Sequence, residues 1–195
     1  MKVILVMAMT LDGKIARHSL EPVDWTGKAD KRKFVEITKQ AGAVIMGSAT
    51  FDTIGQVLKG RKNIVMTRNS SRLAAISIDD SNLQTNNPAL SVNKNSLDNI
   101  ESLEFTDKTP QEIVKSLEDE GFSSAALIGG STINGLFAKE NLIDEIYLTL
   151  VPKIFGKGLP LLSEELDMNL ELVQMDKIDN HSVLLKYNVV KPSNV

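Results

Sequence analysis

The chain alternates short, continuous apolar runs with longer segments in which apolar residues recur every three or four positions. Uninterrupted apolar runs of about four to eight residues are typical of strands buried on both faces of a sheet, and the longer period is typical of amphipathic helices. The pattern predicts strands at 2–9, 43–46, 63–67, 124–128 and 145–151. Two later segments, 170–176 and 182–189, flank the turn "IDNH" and predict an antiparallel hairpin.

Helices are predicted between these strands. The clearest start is "TPQE", in which Thr109 caps the helix, Pro110 takes the first helical position and Glu112 completes a capping box. The segment "SATFDTI" is predicted to be capped by Ser48 or Thr50. The predicted helices cover 29–40, 48–54, 109–121 and 131–140.

The order of these elements predicts the fold class. Strands that alternate with helices imply an α/β fold with a mostly parallel central sheet flanked by helices, here with an antiparallel C-terminal hairpin. Residues 69–108 are rich in Ser, Asn and Asp and predict short strands and long loops rather than a separate unit. The 195 residues therefore predict a single domain, 1–195.

Composition narrows the classes of function. The net charge of −3 gives no electrostatic reason to expect a nucleic acid or an anionic membrane as partner, and no apolar run approaches a membrane span. The absence of cysteine excludes disulfides, thiol catalysis and cysteine-ligated metals. Neither His18 nor His181 has acidic or histidine neighbours at metal-ligand spacing, so we expect no metal site. A cytoplasmic protein is the expectation.

One carboxylate breaks the helical pattern. In a helix over 29–40, Asp30 shares the inward stripe with Phe34, where an apolar residue is expected. A first-turn aspartate is also favoured by the helix dipole without any further role. The position therefore raises the question of what an inward carboxylate would contact.

Glycines follow two of the predicted strands. In "LIGGSTI", Ile128 ends a strand, Gly129 and Gly130 follow, and Ser131 begins a helix, so free N–H groups could face a phosphate; a tight structural turn is the alternative. Gly47 repeats this arrangement, and Thr67 and Arg68 end a third strand. Because open α/β sheets bind ligands at the carboxyl ends of their strands, these three ends predict one crevice for an extended phosphorylated ligand. The motif is not GxGxxG.

These segments together resemble the dihydrofolate reductase-like superfamily. "WTGKADKRKFVEIT", "AVIMGSATFDTIG" and "LKGRKNIVMTRN" are similar to dihydrofolate reductases, in order and near register. "MAMTLDGKIA" and "LIGGSTINGLFAKENLIDEIYLTLVPKIFGKGLPLL" are more similar to the pyrimidine reductases of riboflavin biosynthesis. The resemblance covers nearly the whole chain and implies a dihydrofolate reductase-like fold.

The resemblance implies a catalytic role for Asp30, whose two oxygens would accept hydrogen bonds from the aminopyrimidine edge of a pterin. Arg61 would bind the carboxylate of a glutamate tail, although a solvated surface charge is an equal alternative. Phe34 belongs to the core with or without a ligand, and Trp25 could simply staple the start of the helix. The implied substrate-binding residues are Ala8, Trp25, Asp30, Phe34, Thr38, Arg61 and Thr149.

The cofactor implied by the resemblance is NADPH. Ser48 departs from the pattern, because many dihydrofolate reductases carry an arginine there for the 2′-phosphate; Arg68 could substitute for it. The implied cofactor-binding residues are Ala8, Ile15, Ala16, Gly47, Ser48, Ala49, Thr50, Thr67, Arg68, Ile128, Gly129, Gly130, Ser131, Thr132 and Ile133.

The leading hypothesis is an NADPH-dependent reductase that moves a hydride onto a C=N bond of a pterin or aminopyrimidine, most simply converting dihydrofolate to tetrahydrofolate. The alternative is the riboflavin-pathway reductase, whose substrate carries a phosphate; it is favoured by "VPKIFGKGLPLL" and disfavoured by the absence of an Asp-Asp-Pro loop after Gly47. A third hypothesis is a nucleotide- or pterin-binding protein without catalysis. The riboflavin-type C-terminal half is also compatible with a homodimer.

Overall fold

The computed structural model describes residues 1–69, 71–72 and 102–191. Residue 70 and most of the segment in which short strands and long loops are predicted lie outside these ranges. The described strands are β1 (Lys2–Thr10), β2 (Lys14–Ala16), β3 (Ala43–Gly47), β4 (Lys62–Met66), β5 (Leu103–Thr106), β6 (Ser124–Leu127), β7 (Glu145–Val151), β8 (Leu159–Pro160), β9 (Asn169–Lys177) and β10 (Val183–Val190). The helices are α1 (Gly27–Ala41), α2 (Ser48–Ile54), α3 (Pro110–Asp119) and α4 (Ser131–Lys139).

In the described parts of the chain, eight strands form one sheet in the order β5-β4-β3-β6-β1-β7-β10-β9. In this order, the six strands from β5 to β7 are mutually parallel. β10 runs antiparallel to β7, and β9 runs antiparallel to β10. This arrangement confirms the predicted fold class, including the C-terminal hairpin. The long apolar runs occupy the middle of the sheet because both of its faces are covered.

Two apolar clusters fill the space on either side of the sheet. One contains Leu5, Ile113 and Phe137 and lies beneath α3 and α4. The other contains Val6 and Ile37 and lies beneath α1 and α2. Successive residues of β1 point into opposite clusters, as the two-residue period of a strand requires.

The helix ends follow local sequence signals in two of three cases. The predicted capping box is confirmed, since the Thr109 N–H donates to a Glu112 carboxylate oxygen at 2.8 Å and the Glu112 N–H donates to Thr109 Oγ1 at 3.3 Å. Helix α1 ends at Gly42, whose φ of 77° is accessible to glycine at little cost. The predicted cap of α2 is wrong: Gly47 takes that position without a side-chain cap, because β3 runs directly into the helix.

A second, two-stranded sheet pairs β2 with β8 and was not predicted. The strands are short, and nothing in either segment indicates a partner about 140 residues away. The two strands can approach each other because residue 158 is a glycine. Any other residue would place its Cβ 2.4 Å from the carbonyl oxygen of Ala16, which is a steric clash. Within the described residues, no helix combines the length and apolarity needed to cross a membrane.

The start of β7 carries a buried carboxylate with two lysine partners. Glu145 is 7% exposed and accepts a hydrogen bond from Lys2 Nζ at 2.7 Å. Its other carboxylate oxygen forms an ion pair with Lys186 Nζ at 3.3 Å. Burial favours the protonated acid, but the hydrogen bonds and charges of both lysines outweigh it and hold the pKa of Glu145 below its ordinary value of about 4.5. A carboxylate whose pKa is lower in the folded state than in the unfolded state stabilises the fold. This stabilisation is fully present above the unfolded-state pKa and is lost as the pH falls through the folded-state pKa.

We therefore expect Glu145→Gln to lower the free energy of unfolding at pH 7 by about 1 kcal/mol. Below pH 4.5 the difference from wild type should shrink steadily, as measured by urea unfolding at a series of pH values. Glu171→Gln, on the exposed strand β9, is the matched control and should leave stability unchanged at every pH. A loss that is the same at low and neutral pH would contradict the assignment.

Candidate active site

A cavity of about 530 Å³ opens between the sheet and the two helices α1 and α2. It lies against the middle and carboxyl-end portions of β1 and β7, with the loop after α2 closing one side. Its walls are mostly apolar, with a few polar groups facing inward, as is usual for small-molecule sites. The lining residues are Val6, Met7, Ala8, Ile15, Pro22, Val23, Asp24, Thr26, Asp30, Lys31, Lys33, Phe34, Val35, Ile37, Thr50, Thr53, Ile54, Gln56, Leu58, Ile128, Tyr147, Thr149 and Leu184.

Helix α1 supplies the wall of this cavity that carries Asp30. Asp30 and Phe34 are both half-buried and both line it, one turn apart. Among the described residues, no lysine or arginine forms an ion pair with Asp30, and no N–H or hydroxyl donates a hydrogen bond to its carboxylate. The two oxygens are therefore available to accept hydrogen bonds from a ligand in the cavity.

The sheet supplies the opposite wall. Ala8 on β1 is paired with Thr149 on β7, so both side chains point to the same face. The small side chain of Ala8 leaves room beside Thr149, which is only 2% exposed to solvent. Ile15 and Ile128 are also buried and line the cavity.

The predicted glycine edge adjoins this wall. The ends of β3 and β6 touch, since the Gly47 N–H donates to the Gly129 carbonyl at 2.9 Å. A Cβ at Gly47 would lie 2.9 Å from Ile133 Cγ1, and one at Gly130 would lie 3.5 Å from Thr50 Oγ1. Gly129 has a φ of 101°, and its peptide bond to Gly130 is cis. The edge is thus a stretch of bare backbone, called the cradle below, where a side chain at Gly47 would crowd Ile133 and one at Gly130 would contact Thr50.

The helix that follows supplies donors to this cradle. The first-turn N–H groups of α4, which begins at Ser131, have no carbonyl partner within the helix. The Ser131 hydroxyl is buried and makes no hydrogen bond in the described structure. Unpaired donors at the amino end of a nine-residue helix suit an anionic ligand such as a pyrophosphate. The cradle and the cavity meet at Thr50, which borders both.

Three predicted substrate residues, Thr38, Arg61 and Trp25, do not line the cavity. Thr38 is fully buried, and its hydroxyl donates to the Phe34 carbonyl at 2.7 Å and accepts from Arg61 Nη1 at 2.5 Å. Eight residues along a helix rotate by about 80°, which turns Thr38 away from the stripe that carries Asp30. Ile37, about 20° away on the other side, lines the cavity instead.

Arg61 is therefore neither a solvated charge nor a part of the cavity wall. It is 5% exposed, and its Nε donates to the Lys59 carbonyl at 3.1 Å. Burial lowers the pKa of the Arg61 guanidinium. In this arrangement the arginine braces α1 from beneath through Thr38.

Trp25 is not among the residues that line the cavity either. Its ring packs edge-on against Phe155, with ring centres 5.1 Å apart, and its Nε1 is buried without a hydrogen-bond partner in the described structure. Trp25 thus joins the start of α1 to the loop after β7.

The remaining predicted cofactor residues are distributed along the carboxyl edge of the sheet. Seven predicted site residues line the cavity itself: Ala8, Ile15, Asp30, Phe34, Thr50, Ile128 and Thr149. Arg68 is exposed just beyond β4, next to the buried Thr67. Because β4, β3 and β6 are neighbours, their three ends do lie side by side. The predicted residues along this edge and outside the cavity are Gly47, Ser48, Ala49, Thr67, Arg68, Gly129, Gly130, Ser131, Thr132 and Ile133. Ala16 lies outside the cavity as well, on β2 of the second sheet.

Several lining residues escaped the sequence analysis. Thr26 lies one turn before Asp30, and Tyr147 lies two residues before Thr149, so helical and strand periods could have identified both. Leu184 could not have been identified in this way, since its pairing with Thr149 connects distant parts of the chain.

Comparison with known proteins places this geometry in a family. A putative dihydrofolate reductase of Caenorhabditis elegans is 31% identical over 193 residues, which cover 93% of this chain and 85% of that protein. RibD of Acinetobacter baumannii superposes with a TM-score of 0.74 at 18% identity, covering 97% of this chain and 58% of that one. A Thermotoga maritima diaminohydroxyphosphoribosylaminopyrimidine deaminase/5-amino-6-(5-phosphoribosylamino)uracil reductase superposes with a TM-score of 0.71 at 19% identity, covering 97% and 56%.

The two structural likenesses show the fold, and this chain spans little more than half of each of those chains. The family model described as "RibD C-terminal domain" matches residues 1–184, which is nearly the whole sequence. The resemblance seen in the sequence is thereby confirmed, and the chain belongs to the RibD C-terminal domain family, whose members are reductase-like.

Proposed function

We propose that this protein is an NADPH-dependent reductase that transfers a hydride to a C=N bond of a flat aminopyrimidine or pterin. The observation that carries the proposal is the unpaired Asp30 carboxylate on the wall of a largely apolar cavity. An unpaired carboxylate in such a place loses solvation, and a ligand with two adjacent N–H donors would compensate for that loss.

Asp30 would act on the ring in two ways. Its oxygens accept two hydrogen bonds in one plane, which fixes the orientation of an aminopyrimidine edge. Its negative charge favours protonation of the ring nitrogen next to the carbon that accepts the hydride. Phe34 provides an apolar surface for one face of the ring, and Ala8 leaves room at the sheet for a second flat group. Water would supply the proton.

The cradle at Gly47, Gly129 and Gly130 fits a dinucleotide pyrophosphate, because it combines close backbone approach with the free N–H groups of α4 and the unpartnered Ser131 hydroxyl. When bound, NADPH would supply the hydride. The chain's own contribution is to hold the two flat rings together and to exclude water from between them.

Thr50 provides a direct test of this cofactor site. Its hydroxyl lies nearest to Gly130 and borders the cavity, so Thr50→Val should weaken NADPH binding by about tenfold through loss of one hydrogen bond to a charged group. Fluorescence titration with NADPH and with NADH measures the effect and also the preference between the two. Thr53→Val is the comparison on the same wall of the cavity and should have a smaller effect, because the Thr53 hydroxyl already donates to the Ala49 carbonyl at 2.9 Å. Equal effects of the two substitutions would contradict the assignment of Thr50.

Dihydrofolate is the simplest substrate of the proposed class. The burial of Arg61 removes the expected partner for a glutamate tail from the cavity, so binding would depend on the pterin ring. The second candidate is a ribosylamino-pyrimidine phosphate, which the names of the structural relatives suggest. Lys31 and Lys33 line the cavity beside Asp30 and could bind the phosphate of this second candidate substrate, although Lys33 also pairs with Glu36 at 2.9 Å.

The deciding experiment follows NADPH absorbance at 340 nm with dihydrofolate and, separately, with 5-amino-6-(5-phosphoribosylamino)uracil. Steady consumption with one substrate identifies the class. A thermal-shift series with NADPH, a folate analogue and a pyrimidine ribitol phosphate runs in parallel. Binding of NADPH without turnover of either substrate would overturn the proposal and favour a non-catalytic nucleotide-binding protein.

A further inference from the structure

Two loops beyond the carboxyl ends of β1 and β7 are joined by one carboxylate, that of Asp12. Its Oδ1 accepts hydrogen bonds from Thr10 Oγ1 at 2.5 Å and from the Phe155 N–H at 3.2 Å. Its Oδ2 accepts from the Gly156 N–H at 2.7 Å. The Leu11 N–H adds a bond to the Lys153 carbonyl at 2.9 Å. Asp12 is thus the main polar link between the 10–14 turn and the loop at residues 152–158.

The turn that contains Asp12 does not need this carboxylate. It closes through a bond from the Gly13 N–H to the Thr10 carbonyl at 3.0 Å, and Gly13 takes a φ of 75°. The carboxylate oxygens are instead used across the gap to the other loop. The hydrogen bond from the Thr10 hydroxyl has the largest effect on the pKa of Asp12, and the backbone N–H groups of the other loop add to it. Together they hold this pKa below its ordinary value, so the side chain is ionised at neutral pH.

The 152–158 loop places the ring of Phe155 against the start of α1. The ring of Phe155 is packed between Trp25 on one side, at 5.1 Å between ring centres, and the Arg17 guanidinium on the other, at 4.0 Å from the ring centre. Trp25 directly precedes Thr26, which stands at the N-cap of α1 without a side-chain capping bond. Since Thr26 makes no side-chain cap bond, the packing of Trp25 on Phe155 is one contact that holds this end of the helix.

Both ends of this chain of contacts reach the cavity. Asp30 lies one turn into α1, and Ile15 lies three residues after Asp12 on β2, which pairs with β8. We propose that Asp12 is a positioning residue for the reaction: by clamping the 152–158 loop, it seats Phe155 on Trp25 and thereby sets the position of Asp30. This inference rests on the proposed function for its kinetic consequence but not for the clamp itself.

The test replaces Asp12 with asparagine, which keeps the shape but places an amide N–H₂ among N–H donors. We expect kcat to fall about tenfold with a smaller change in KM, because a displaced Asp30 impairs alignment more than binding. Trp25 is the only tryptophan, so its emission reports directly on the packing with Phe155 and should change in intensity or wavelength. Asp119→Asn, on the exposed end of α3, is the control and should change neither.

Phe155→Leu gives an independent measurement, because it removes the ring while leaving the Asp12 hydrogen bonds in place. If the clamp acts through Phe155, the double variant should lose hardly more activity than either single variant. Additive losses, or wild-type emission and kcat in Asp12→Asn, would overturn the inference. Should wild type show no turnover, the proposed function fails, and the emission of Trp25 in the two single variants still decides whether the clamp exists.

Discussion

Replacing Asp30 with asparagine is expected to lower kcat/KM by about a hundredfold. Asparagine retains one acceptor oxygen but presents donors in place of the other, so one N–H of the substrate would face another N–H. It also removes the negative charge that favours protonation of the ring nitrogen. Initial rates of NADPH oxidation across a range of substrate concentrations and pH values measure the loss, which should fall mainly on kcat.

Asp119→Asn is the matched control for this experiment as well, because it makes the same chemical change on the other side of the sheet. Circular dichroism should be unchanged in both variants. Thermal unfolding of Asp30→Asn should change only slightly, since Asp30 makes no hydrogen bond or ion pair with the described protein and loses only its interaction with the helix dipole. A loss of less than threefold in Asp30→Asn, with an intact fold, would remove the carboxylate from the mechanism. NADPH affinity should be nearly unaffected, which separates this site from the glycine cradle.

The second large effect is expected on stability. Phe137 on α4 is fully buried in the cluster with Leu5 and Ile113, so Phe137→Ala should lower the free energy of unfolding by about 3–5 kcal/mol. For a chain of this length the midpoint of thermal unfolding should fall by roughly 10 °C. Chemical denaturation, with the slope against denaturant compared between variants, measures the change.

Phe34→Ala makes the same substitution on the cavity wall and separates stability from binding. Phe34 is half-buried, so its removal should cost much less stability than that of Phe137 and should weaken substrate binding instead. Equal losses of stability in the two variants would show that the cavity wall is part of the core. The expected contrast follows from the difference in burial, since Phe137 is fully buried and Phe34 is half-buried on the cavity wall.

The fold was predictable to the extent that its signals are local. The buried central strands show continuous apolar runs, and the capping box at Thr109 is contained within four residues. The C-terminal hairpin is an alternation across a short turn. Asp30 and Phe34 could be assigned to one face because they belong to the same helix, whose period fixes their relative direction.

The features that the sequence did not predict depend on contacts between distant segments of the chain. The pairing of β2 with β8 and the bond from Arg61 to Thr38 join residues whose own neighbourhoods give no sign of each other. Arg61 illustrates the difficulty, because a loop sequence with lysine and glycine neighbours predicts exposure and the folded chain buries the guanidinium. Thr38 was misplaced by a smaller error, since a helix stripe drifts by about 80° over eight residues.

The position of β1 in the sheet has a consequence for synthesis. This strand pairs with β6 and β7, which lie about 120 and 140 residues later in the sequence. β1 therefore leaves the ribosome long before either partner has been made, and the nascent chain must carry it unpaired until about 140 further residues have been translated.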